Sequence, residues 1–169
     1  MKKYAMVAVV AIACLTAFNF APTGVREYVP VTVTPDLQTG YIDHIGKKEQ
    51  RYVISFDPIH WYEGEQAVQK FAEHEGDAGM DGPPDGYYII NDEEELSELP
   101  IAEDAIVLMQ IYNRTGNIEE AEIQWDEQIT VDKFIELLNI EDDLQLKGFP
   151  YHLTVKDGEI VRIVQQYVP

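Results

Sequence analysis

Apolar positions in this chain fall into three kinds of spacing. From Tyr4 to Phe18 they run almost unbroken, interrupted only by Thr16 and preceded by Met1-Lys2-Lys3. A basic start, an apolar stretch of this length and small residues near its end make the tripartite pattern of a secretory signal, with cleavage predicted after Ala21. Further on, apolar residues alternate with polar ones over short runs, the period of half-buried strands. In two places they recur at helical spacing.

Residues 22–37 hold three prolines among valines and threonines, which forbids a helix and predicts an extended linker. The globular domain is expected over 38–169. Gly40–Ile45 and Tyr52–Asp57 read as two strands around the polar segment Gly46–Gln50, a hairpin in which Tyr52, Ile54 and Phe56 face the core. Gly64-Glu65 opens a short helix with Val68, Phe71 and Ala72 on one stripe and Gly76 as its stop. The glycines and prolines of Asp77–Gly86 predict a loop. Strands are then expected over Tyr87–Asn91, Ala105–Tyr112 and, after a turn at Thr115-Gly116, Ile118–Trp125. Thr130 is an N-cap for a second helix that buries Phe134, Leu137 and Leu138. The strongest local signal is Asp157-Gly158 between Tyr151–Lys156 and Glu159–Tyr167, because a tight two-residue hairpin turn needs positive φ at both centres. In these arms Tyr151, Leu153 and Val155 line one face, and Val161 and Ile163 continue it. About seven short strands and two short helices predict an α+β domain, mostly antiparallel, built as a small curled sheet or barrel.

Charge and cysteine usage narrow the setting. The 169 residues carry 12 basic and 31 acidic side chains, a formal net charge of −19. Lys2 and Lys3 are the only charges before Pro22, so removal of the leader would leave 148 residues at −21. Such a field repels nucleic acid and anionic membrane surfaces and attracts cations. Cys14 is the only cysteine. Ala11-Ile12-Ala13-Cys14 resembles the lipobox of bacterial lipoproteins, with Ala11 where leucine is usual. Cys14 is thus a candidate lipidation site, or a small apolar residue that leaves with the leader. Membrane attachment is expected only through the N-terminal segment or a lipid on Cys14. No disulfide, thiolate metal site or thiol nucleophile is available to the mature chain.

Other chemistries lack their signatures. Ser55 and Ser97 are the only serines, and neither sits in a nucleophile elbow. No glycine-rich loop followed by Lys-Ser/Thr cradles a phosphate. The cluster Asp57-Pro58-Ile59-His60-Trp61-Tyr62-Glu63 brings a carboxylate, an imidazole and two aromatics together. It reads either as a ligand site, with Asp57, His60 or Glu63 on a cation or polar group and Trp61 as a platform, or as a strand end with a buried Trp61. Asp85 and Tyr88 are further candidates. The acids Asp77, Asp81 and Asp85 on a glycine-bearing loop suggest calcium, although at a spacing unlike an EF-hand; a solvated surface loop is the plainer reading. The run Asp92–Glu95 reads as a solvated surface.

Asp57 and Trp61 before Gly64-Glu65-Gln66-Ala67, then Pro84–Asp92, Leu99-Pro100-Ile101 and the closing Gln166-Tyr167-Val168-Pro169 resemble a family of uncharacterised exported proteins of Gram-positive bacteria. The resemblance implies one exported domain and brings no catalytic residues with it. The expected function is therefore a non-catalytic acidic binding domain of the cell envelope. Two alternatives stand beside it: a hydrolase using the acids near Asp57 and His60, and a calcium-stabilised envelope module.

Overall fold

The computed structural model describes residues 27–77, 79–92 and 95–168. The leader, Cys14 and the cleavage position after Ala21 lie outside the described residues. The elements run β1 (Leu37–Lys48), β2 (Arg51–Pro58), β3 (His60–Glu63), α1 (Gly64–His74), β4 (Tyr87–Ile90), β5 (Ser97–Met109), β6 (Glu127–Ile129), α2 (Val131–Leu138), β7 (Pro150–Lys156) and β8 (Glu159–Gln165). Short 3-10 turns at Ile118–Glu120 and Leu146–Gly148 interrupt the loops.

Six strands form one sheet in the order β2-β1-β7-β8-β5-β6, and a further pairing of β2 with β5 closes five of them into a barrel. All of its pairings are antiparallel except β5 with β8. The expected α+β class, mostly antiparallel and barrel-like, is what forms. Closure satisfies the backbone groups that an open sheet would leave at its edges. It depends on the length of β5, whose start (Ser97–Pro100) pairs with β2 while its remainder pairs with β8.

Alternation alone does not fill the barrel. Ile42 and Ile45 are both buried although three residues apart, a spacing that a regular strand would send to opposite faces. The register slips between Ile42 and His44, so Asp43 is an extra residue that restores Ile45 to the interior. Strand β8 repeats the device. Ile160 opposes Val155 and Arg162 opposes Thr154, which leaves Val161 as the extra residue. Ile160 and Ile163 are fully buried, and Val161, expected inside, is only partly covered.

Helix α2 closes the core as its pattern predicts. Thr130 Oγ1 accepts from the Lys133 amide at 3.2 Å, and Phe134, Leu137 and Leu138 are buried. Phe134 meets the buried Tyr151 ring edge-on at 5.5 Å. The C-terminal hairpin turns at Asp157-Gly158 with φ of 52° and 80°. The first hairpin is tighter than expected: its turn is Glu49-Gln50 alone, both at positive φ, and the strands run up to it on either side.

Other expectations change as well. Ile118–Trp125 is not a strand; Ile123 is 41% exposed there, and the β6 strand comes after it, at Glu127. On α1 the buried residues are Ala67 and Phe71, whereas Val68 is 45% exposed. The same helix ends at His74 with Glu75 as its C-cap, so Gly76 follows as the expected stop, although it does not take the positive φ of a left-handed cap. A separate two-stranded sheet of β3 and β4, with α1 against it, completes the domain.

Candidate functional site

The sheet of β3 and β4 sorts the aromatic cluster onto two faces. Its register sets Trp61 opposite Ile89, Tyr62 opposite Tyr88 and Glu63 opposite Tyr87. Successive side chains point to opposite faces, so Trp61, Glu63 and Tyr87 share one side while Tyr62 and Tyr88 take the other. Trp61 and Tyr87, diagonal neighbours, stack at 4.6 Å with their planes 12° apart. Tyr88 turns to the helix, meeting Phe71 edge-on at 5.7 Å and donating to Glu75 at 3.2 Å.

On the Trp61 side the pair walls an open cleft of about 330 Å³ lined also by Tyr28, Glu63, Asp85 and Tyr167. Glu63 anchors it. Its Oε1 accepts from Trp61 Nε1 at 2.9 Å, Tyr28 Oη at 2.9 Å and Gln166 Nε2 at 3.2 Å. Its Oε2 takes no hydrogen bond among the described residues, and neither Glu63 nor Asp85 forms an ion pair there. Trp125 lies behind, 5.2 Å from the Tyr28 ring and edge-on to Tyr167 at 5.4 Å.

The cleft is tied to the barrel through buried polar groups. Gln166, 3% exposed, gives one amide hydrogen to the Tyr167 carbonyl at 2.8 Å and shares the other between Tyr28 Oη at 2.9 Å and Glu63 Oε1 at 3.2 Å. Its Oε1 lies 2.7 Å from His152 Nε2. A carbonyl oxygen only accepts, so His152 carries its proton on Nε2, leaving Nδ1 to accept from the Thr39 hydroxyl at 2.8 Å. Both ring nitrogens are therefore committed. Burial holds the His152 pKa below its ordinary value, against smaller upward pulls from Gln166 and Glu63. Desolvation also pushes the Tyr28 hydroxyl up to about 12, with the Gln166 hydrogen bond opposing and Glu63 reinforcing.

The residues expected to bind divide between two places. Trp61, Glu63 and Asp85 line this cleft; Asp57 and His60 do not. His60 lines a second hollow of about 350 Å³ with Pro58, Asn91, Asp92 and Glu95. Asp57 accepts from Asn91 Nδ2 at 2.7 Å at its margin. Tyr88 belongs to the helix side. Of the acids on the 77–85 loop, Asp85 alone reaches the cleft, and no three acidic or imidazole groups converge as metal ligands among the described residues.

Tyr28, Gln166, Tyr167 and His152 are site residues that the sequence does not point to. Tyr28 sits in a proline-rich stretch, and the glutamine and final tyrosine end an apolar strand. Only the buried polar pair Gln165-Gln166 there, at positions a core would otherwise claim, carries a signal. No helix among the described residues is long and apolar enough to cross a membrane. In comparisons with known proteins the chain matches no family model, no curated protein and no solved structure.

Proposed function

We propose that this chain is an exported, acidic binding domain of the cell envelope whose ligand site is the cleft between Trp61, Glu63, Tyr87 and Tyr167. Support for export is the basic and apolar N-terminal pattern together with the high negative charge. The observation that carries the binding reading is the cleft itself. Four aromatic side chains and two carboxylates converge from segments 28, 61–63, 85–87 and 167, and a partly buried hydrogen-bond network ties Tyr28, Trp61 and Glu63 to Gln166. Ligand sites combine apolar, aromatic walls with a few placed polar groups, and their volumes start near 300 Å³.

Binding is favoured over hydrolysis because Asp57 and His60, the groups expected to hydrolyse, stand at the other hollow, and the imidazole behind this cleft is engaged. Glu63 Oε1 is an acceptor for three donors, and both nitrogens of His152 are engaged inside the barrel. A general base needs a lone pair in reach of the proton it takes. Here the imidazole's one lone pair is held by Thr39. The test is a nitrogen-edited NMR screen of the full chain against amines, amino sugars, neutral saccharides and short peptides. The expected result is a hit that moves the Trp61 indole N–H and the Tyr87 amide while leaving Phe134 and Leu137 in place. Hits that perturb only residues around His60 and Glu95 would move the site to the other hollow.

A further inference from the structure

We infer that the cleft takes a small organic cation with no N–H donor of its own, a fully substituted ammonium; the inference rests on the cleft being the ligand site. The lining is one-sided in charge. Glu63 and Asp85 bring two carboxylates, and no Lys, Arg or His is among the lining residues. Neither acid is neutralised by an ion pair among the described residues. Asp85 is exposed, but Glu63 is partly buried, and such a carboxylate without a countercharge is most favourably met by a cationic ligand.

The walls specify what kind of cation. Tyr28, Trp61, Tyr87 and Tyr167 line the cleft, and each ring of the Trp61–Tyr87 stack keeps one face outside the stack. Ring faces attract cations through the ring quadrupole, most strongly when the cation is weakly hydrated. Several acceptors of the inner wall, by contrast, are already used. Glu63 Oε1 holds three donors, Gln166 Oε1 faces His152 Nε2, and the Tyr167 carbonyl takes a Gln166 hydrogen. A primary ammonium would bring three strongly hydrated N–H donors to walls made mostly of rings, where Glu63 Oε2 and the exposed Asp85 carboxylate are the side-chain acceptors left to it. A fully methylated one loses no hydrogen bond on entering, and the volume suits a head group of that size.

Isothermal titration of the full chain with choline, neohexanol (its uncharged carbon isostere) and ethanolamine separates these terms. Choline is expected to bind at least about tenfold more tightly than either of the others. Glu63→Gln keeps an acceptor for Trp61 and Tyr28; it should weaken choline about tenfold and leave neohexanol unchanged. Neohexanol or ethanolamine binding as tightly as choline would overturn the inference, and the wild-type comparison decides this even where the variant folds poorly. If choline fails while another compound moves the Trp61 indole signal, the cation is wrong and the cleft stands. If nothing moves that signal, both fall.

Discussion

His152 makes the stability of this domain depend on pH, and the sign follows from its burial. The ring is 5% exposed and hydrogen-bonded at both nitrogens as the neutral tautomer. Its folded pKa lies below the ordinary 6.5 because desolvation penalises the imidazolium. In the unfolded chain the same group takes up a proton as pH falls through about 6.5. The unfolded state then binds more protons than the folded one, so stability falls. The contribution is fully present above the unfolded value. It is lost as pH drops from there towards the folded one, with a limiting slope of about 1.4 kcal/mol per pH unit. Most carboxylates titrate below about 4.5, so the window between about pH 6.5 and 5 is nearly free of their effect. Urea denaturation at constant ionic strength, in steps from about pH 8 to 5, should give a plateau and then a decline. His152→Gln should start less stable and show a flatter acid limb, since it keeps hydrogen-bonding groups and does not titrate. A wild-type midpoint that is flat or rises across that window would refute the reasoning. So would an equally steep decline in the variant.

Three further predictions concern the scaffold and are read by urea or thermal denaturation. Gly40 crosses β2 so closely that a Cβ would stand 2.2 Å from the Asp57 carbonyl oxygen and 2.8 Å from Phe56 Cδ2. Gly40→Ala should therefore cost about 3 kcal/mol, the upper end for overpacking, because the first obstacle is backbone. Phe134→Ala empties a fully buried site against Tyr151, and should cost about 3–5 kcal/mol. Thr130→Ala removes the oxygen that accepts from the Lys133 amide, at about 1 kcal/mol, and Thr130→Ser should restore most of it.

Local chemistry was legible in the sequence wherever neighbouring residues decide the outcome. Asp157-Gly158 fixed one hairpin and Thr130 one helix start, because turn geometry and capping depend on a few adjacent residues. The apolar patterns that seemed to continue through Ile118–Trp125 misled. In that stretch Arg114 donates to the Glu122 carbonyl and the Gln124 amide donates to the Gln110 carbonyl, which holds a loop against the end of β5. The length of β5 was also hidden. Its first residues, with Glu98 and Pro100, look like a connection until β2, more than forty residues earlier, is there to pair with them. Bulges at Asp43 and Val161 shift the inward set by one residue, which simple alternation does not register.

The candidate site shows the same division. Trp61 and Glu63 drew notice as a dense local cluster, and they do line the cleft together with Asp85. Tyr28 and Gln166 are 138 positions apart and meet only because the chain before β1 is brought against the end of β8. Tyr87 rather than Tyr88 faces the cleft because β4 pairs with β3 so that Glu63 opposes Tyr87. Which tyrosine turned which way was a matter of register. A chain read without its pairings leaves that open.

The most direct test of the cleft as the binding site is a crystallographic fragment screen on the folded domain. Occupied density is predicted beside Trp61 and Tyr87, within reach of Glu63 Oε2, and cationic fragments should dominate there. Fragments that instead collect in the hollow of His60, Asn91 and Glu95, and leave the Trp61 cleft empty throughout, would contradict the account.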